Sequence, residues 1–146
     1  LEILGRNPLV VVDGAHNTYS LQCLLDAAAR YLPNRQLHMI FGVGVTHTPK
    51  DLLEVVLPRV TSFCITQSHH PKATPVADLQ TMARALGYDA TTAPNASAAL
   101  DLALARAETD DLVLITGSLF VVAETREAWF SGQGLPLPPA DPPGAY

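Results

Sequence analysis

Leu9-Val10-Val11-Val12-Asp13-Gly14-Ala15-His16-Asn17 is the stretch from which the fold follows. Four consecutive apolar residues, β-branched after the first, suit a strand buried on both faces, and such strands belong to the centre of parallel sheets. The run stops at Asp13-Gly14, and beyond Asn17 the period changes. Leu21, Leu24, Leu25, Ala28 and Leu32 recur at the spacing of one helix face until Pro33-Asn34 ends them. A buried strand that feeds a helix through a small polar loop is the first half of a βαβ unit.

Upstream, residues 1–4 alternate weakly and connect through Gly5-Arg6-Asn7-Pro8, a turn short enough to make them an antiparallel neighbour. Downstream the alternation repeats. Residues 37–41 read as a strand and 49–60 as a helix, with Thr48 as cap and Pro49 at the first position. Residues 62–66 form the next strand, and Thr74-Pro75 opens a helix to Leu86 that Gly87 closes. A weak strand at 90–93 precedes an alanine-rich helix capped by Asn95 and ending near Ala107. Residues 112–116 are the last strong strand, and Gly117-Ser118 leads into a helix that stops near Phe130. The pattern predicts an α/β, Rossmann-like three-layer domain: about six strands, mostly parallel with one antiparallel, and helices on both faces. This domain covers residues 1–131. Residues 132–146 hold five of the twelve prolines without periodicity and read as a Pro-rich tail.

The 146 residues are 48% hydrophobic, enough for one core, and carry a net charge of −5 with only nine Lys and Arg, which argues against a nucleic-acid partner. Cys23 and Cys64 do not make a disulfide framework and read as two buried thiols. No basic stretch precedes an apolar run, and no run approaches the ~20 residues that span a bilayer, so the expectation is a cytoplasmic protein with no membrane association. The chain opens on Leu1-Glu2-Ile3-Leu4 without a methionine, which points to a piece of something longer.

In an open parallel sheet, ligands gather beyond the carboxyl ends of the strands, where loop amides and helix N-termini converge. Five segments end there: residues 13–17, 42–47, 67–72, 93–95 and 116–118. Asp13 has two readings, acceptor for a ribose diol or helix cap, and His16 has two, contact for a carboxylate or phosphate or partner of the backbone. Gly42-Val43-Gly44 fails as a dinucleotide fingerprint, because the third glycine would fall at His47, and the Gly-Lys-Ser/Thr ending of a phosphate loop is missing. His69-His70 lacks an acidic or cysteine partner nearby and reads as a solvated loop rather than a metal site. Ser118, His16 and Asp13 are the residue types of a hydrolase triad, but Thr116-Gly117-Ser118-Leu119-Phe120 lacks the Gly-x-Ser-x-Gly elbow. Ser118 fits better as a helix cap whose neighbouring amides face an anion.

Two segments go further. Residues 6–17, Arg-Asn-Pro-Leu-Val-Val-Val-Asp-Gly-Ala-His-Asn, resemble the signature that opens the carboxyl-terminal domain of folylpolyglutamate synthases and dihydrofolate synthases, members of the Mur ligase group. Residues 116–124, Thr-Gly-Ser-Leu-Phe-Val-Val-Ala-Glu, resemble the one that closes it, and the similarity runs from about Leu1 to Arg126. The resemblance implies an amide ligase that uses ATP and Mg2+ to activate a folate or pteroate carboxylate as an acyl phosphate, which the amine of L-glutamate attacks. It assigns Asp13, Gly14 and Lys50 to ATP, His16, Asn17 and Ser118 to glutamate, and Lys72 and Gly117 to the adjoining cleft. It puts the catalytic phosphate loop and the magnesium ligands in a preceding central domain of the same polypeptide, so this domain is a lid, inactive alone and without metal ligands of its own. Three departures stand out: Thr18 replaces a proline, Thr46-His47-Thr48-Pro49-Lys50-Asp51 retains only part of an Asp-Lys-Asp loop, and Pro71-Lys72-Ala73 has lysine for arginine. A peptidoglycan amino-acid ligase of the Mur type and a non-catalytic nucleotide-binding module are the alternative readings.

Overall fold

The computed structural model describes residues 1–33, 35–45 and 48–137. Six strands form one sheet, β1 (Glu2–Arg6), β2 (Leu9–Val12), β3 (Leu37–Phe41), β4 (Ser62–Ile65), β5 (Thr91–Thr92) and β6 (Leu112–Thr116), in the order β1-β2-β6-β3-β4-β5. Only the β1/β2 pair is antiparallel, and a cis Asn7-Pro8 bond lies in the turn that joins them.

Every residue of β2 and β6 is buried, and alternate side chains serve opposite faces. Leu9, Val11, Met39, Phe41, Phe63, Ile65, Leu112 and Leu114 pack under α1 (Thr18–Tyr31), α2 (Pro49–Val56) and α3 (Val76–Ala85). Val10, Val12, Ile40, Cys64, Val113 and Ile115 face α4 (Ala96–Arg106) and α5 (Leu119–Gly132). The uninterrupted apolar runs therefore follow from a sheet covered on both sides, the three-layer arrangement expected from the sequence.

The chain lays β2, β3, β4 and β5 down with α1 to α3 on one face, then returns by α4 across the other to insert β6 between β2 and β3. The connections after β3 and β6 consequently lead to opposite faces, which opens a crevice at the carboxyl ends of these neighbours.

Several local expectations are corrected. Thr48 precedes α2 but makes no side-chain cap; Pro49 fills the first position and Asp51 supplies negative charge to the first turn. The Thr46–Asp51 loop expected to keep part of a family motif includes Thr46 and His47, which lie outside the described residues. Helix α3 begins at Val76, whose N–H donates to Gln67 Oε1 at 3.0 Å, so a side chain from the preceding loop replaces the Thr74 start. Cys23 is exposed and only Cys64 is buried. Helix α5 runs to Gly132, and residues 138–146 of the expected tail lie outside the described residues. None of the described helices is long and apolar enough to cross a membrane.

Candidate functional site

Two loops are sewn together at the crest of the sheet. The Asp13 N–H donates to the Ile115 carbonyl at 3.0 Å, while Ala15 O accepts from Thr116 Oγ1 at 3.0 Å and Gly117 N at 2.9 Å. These bonds set His16 and Ser118, distant in sequence, on one cleft. Gly117 has φ +99°, and a Cβ there would stand 2.6 Å from the Gly42 carbonyl, so the β6 loop is tight enough to exclude a side chain at this position. A second pair of loops closes the other side. Val45 N donates to Lys72 O and Thr74 N to Val43 O, both at 2.8 Å, and Gly44 bridges Ala73, so the loop after β4 folds back on the loop after β3.

Between these pairs lies a cleft of about 300 Å3 lined by His16, Gly44, Ser68, His70, Lys72, Ala73, Ser118, Leu119 and Phe120. Three of the side chains expected from sequence, His16, Lys72 and Ser118, meet here. The His16 ring places Nδ1 2.7 Å from Gly14 O; a carbonyl only accepts, so Nδ1 carries the proton and Nε2 is the acceptor nitrogen of the neutral ring. The backbone reading of His16 is therefore realised, without removing the residue from the cleft. His70 shows the reverse tautomer. Its Nδ1 accepts from Lys72 N–H at 3.1 Å, leaving Nε2 as the donor. Its ring stacks on Phe120 with centroids 4.0 Å apart. The cleft thus combines imidazole, hydroxyl and ammonium groups with an aromatic wall, a set suited to a small carboxylate-bearing ligand.

The other expected residues stand apart from it. Asp13 is not the helix cap; its Oδ1 accepts from Ala15 N at 2.9 Å, and its Oδ2 lies 3.1 Å from the Leu1 amine. The cap of α1 is Asn17, whose side chain accepts from Ser20 N at 2.9 Å while Ser20 Oγ faces the Asn17 backbone N–H. Ser118 caps α5 as expected, its Oγ accepting from Phe120 N at 3.2 Å. Lys50, two-thirds exposed, has Glu54 3.8 Å away and does not line the cleft. Gly14 packs under Leu119, whose Cδ2 would meet an added Cβ at 2.6 Å. No hydrogen bond joins His16 to Asp13 or Ser118 among those found, so the hydrolase arrangement is not assembled.

Sequence reasoning put residues 67–72 at the crest without singling out Ser68 or His70, and passed over Phe120; His69 is exposed, as the solvated-loop reading has it, while His70 lines the cleft. His69 N donates to Glu124 Oε1 at 2.7 Å and its Nδ1 lies 3.0 Å from Oε2. The only local hint was an aromatic residue in the first turn of a helix that opens at the crest.

Residues 1–119 match the family model described as Mur ligase, glutamate ligase domain. A probable bifunctional folylpolyglutamate synthase/dihydropteroate synthase of Haloferax volcanii is 36% identical over 131 residues, 88% of this chain. The chain spans only 15% of that relative's length. Folylpolyglutamate synthase of Mycobacterium tuberculosis, solved with ADP and AMPPCP, superposes with a TM-score of 0.77 and 25% identity over 94% of this chain and 32% of its own. FolC of E. coli, solved with DHPP and ADP, gives a TM-score of 0.81 at 22% identity over 90% of this chain and 31% of its own, a likeness of fold.

Proposed function

From the premise that this chain belongs to the Mur ligase family of glutamate ligase domains, we propose that it is the carboxyl-terminal domain of an ATP-dependent ligase adding L-glutamate to a folate or pteroate carboxylate, as folylpolyglutamate synthase, dihydrofolate synthase or both. The observation that carries the reading is the crest cleft, where His16, Ser118 and Lys72 share about 300 Å3. It matches a dicarboxylic amino acid in size and charge, since each carboxylate needs a cation or several donors when it leaves water.

ATP supplies the phosphoryl group that turns the acceptor carboxylate into an acyl phosphate. This chain's contribution is to bind, orient and exclude water. Ser118 Oγ–H, His70 Nε2–H and the Lys72 ammonium are donors toward glutamate carboxylates, and the His16 ring lines the cleft beside them. Asn17 keeps its side-chain oxygen for the helix cap, so its amide nitrogen is the group left for a ligand. Gly117 shapes the wall through its backbone. Asp13 fits the nucleotide: Oδ1 is held by Ala15 N, Oδ2 would exchange the Leu1 amine for a ribose diol, and Gly14 keeps the adjacent backbone small. Lys50 would have to leave Glu54 to reach a phosphate. Among the described residues no group of three His, Cys, Asp or Glu side chains could hold a metal ion. In this reading Mg2+ and the triphosphate belong with a preceding central domain of the same cytoplasmic polypeptide, and this domain alone has no activity. Leu119 and Phe120, 63% and 50% exposed at the cleft rim, offer that domain an apolar landing.

The test is ATP-dependent transfer of labelled L-glutamate to pteroate, folate and a muramyl nucleotide by the polypeptide that carries this chain. Transfer to the muramyl substrate alone would replace the folate reading with the peptidoglycan one. Nucleotide binding without transfer would leave a binding module. Asp13→Ala in that enzyme should lower kcat/KM for ATP roughly ten- to a hundred-fold, the equivalent of ~1.5–3 kcal/mol for a charged hydrogen bond. An unchanged value removes Asp13 from the nucleotide site.

A further inference from the structure

The cleft's far wall is held by a group that does not line it. Residues 66–74 leave β4 as a loop without helix or strand. It carries Ser68, His70 and Lys72 to the cleft; backbone bonds to Val43 and Val45 tie down its Lys72–Thr74 end, and the His69 end is tied down from α5. Glu124, in the second turn of α5, grips it with both carboxylate oxygens: Oε1 accepts the His69 backbone N–H at 2.7 Å, and Oε2 lies 3.0 Å from His69 Nδ1. The next residue, His70, is thereby laid on Phe120, one turn earlier in the same helix, at 4.0 Å and 20° from parallel. His70 Nδ1 in turn accepts the Lys72 N–H at 3.1 Å. The chain of contact runs from Glu124 through His69 to His70 and Lys72.

We infer that Glu124 is a positioning residue for the amino-acid substrate. Its two-oxygen grip on His69 sets the His70 and Lys72 donors at the spacing a substrate carboxylate requires. The inference rests on the reading of the cleft as the glutamate site. Glu124 bonds the loop after β4, whereas Asp13 bonds Ala15 and the Leu1 amine, so the nucleotide side should be insensitive to it.

In the ligase polypeptide carrying this chain, Glu124→Ala should raise KM for glutamate about tenfold, since small misplacements of binding groups are amplified in affinity. KM for ATP and the thermal midpoint should stay near the unaltered enzyme's. Glu124→Gln keeps an oxygen for the His69 N–H and should recover most of the loss. In the 146-residue chain, NMR should show the His70 ring protons losing the upfield shift from Phe120 in the alanine variant and retaining it in the glutamine variant. An unchanged glutamate KM with Glu124→Ala, equal rises for ATP and glutamate, or a His70 signal indifferent to both substitutions overturns the assignment of Glu124. Absence of glutamate-dependent turnover in the unaltered enzyme instead overturns the reading of the cleft on which it rests.

Discussion

The two ends of the sheet carry the same three residue types and use them oppositely. At the base, where β3, β4 and β6 begin, His38 Nδ1 meets Ser62 Oγ at 2.8 Å and Nε2 meets Asp111 Oδ2 at 3.0 Å, with Glu108 N–H donating to the same carboxylate at 2.8 Å. His38 and Asp111 are buried, and the group knits three strands together. At the crest, Asp13, His16 and Ser118 each have a backbone partner in their own loop, Ala15 N, Gly14 O and Phe120 N, and Asp13 also reaches the Leu1 amine. A serine, a histidine and an aspartate bonded in a row are here a structural joint between strands. The same types held apart, each fixed by backbone, present polar groups to an open cleft. The difference teaches that assembly into a triad is the poorer guide to function in this domain.

Substitutions can break that contrast or sharpen it. Gly117→Ala should cost the most, about 3 kcal/mol, because φ +99° strains any L side chain and a Cβ would press on the Gly42 carbonyl at 2.6 Å; urea unfolding measures it. Ser62→Ala and Ser118→Ala then form a matched pair. Removing Ser62 leaves a buried ring nitrogen of His38 without its partner, at ~1–3 kcal/mol, whereas Ser118 is a helix cap worth ~1 kcal/mol. Ser118→Ala should, in addition, raise the glutamate KM, which Ser62→Ala should not. Equal stability losses with no kinetic difference would erase the distinction between base and crest.

Acid titration sharpens it further. The Glu108 N–H first, and the His38 ring second, hold the Asp111 carboxyl below the usual carboxylate range. The unfolded chain therefore binds a proton at higher pH than the folded one, and the stability from this group is present above the ordinary carboxylate pKa and lost as pH falls through the folded value. Asp111→Asn should be less stable at neutral pH and flatter across that acid limb, read by thermal melts between pH 2 and 6, about the carboxylate range. The smallest effect is chemical. Burial, only partly opposed by Arg106, pushes the Cys64 thiol up to about 11. One thiol, Cys23, should react with a maleimide in the native chain at neutral pH, and both after denaturation.

How far the sequence could be read depended on the reach of each interaction. The Leu9–Val12 run and its counterpart at Leu112–Ile115 announced a sheet covered on both faces, since burial from two sides leaves no polar position to alternate with. Asn95 and Ser118 announced their helices because a cap acts on residues two or three places away. Cys23 was misjudged although its position, off the Leu21, Leu24, Leu25 and Ala28 stripe, already pointed to solvent. The Asp13 cap failed because Asn17, also a good cap, stands nearer the first helical turn. What was illegible is what spans the chain: Glu124 grips His69 across 55 residues and His38 reaches Asp111 across 73, and no local pattern encodes either.

Strands β2 and β3 never touch in the ladder; each is bonded to β6, the last strand in the chain. In the sheet, the antiparallel hairpin and the β3-β4-β5 group are joined only once residues 112–116 slot between them. A polypeptide cut short of that strand would keep most of the core's residues yet, among the described residues, lose the strand ladder joining its two halves, so the crest would lack the Ser118 side of its cleft. The late keystone makes the domain all-or-none with respect to its own final third.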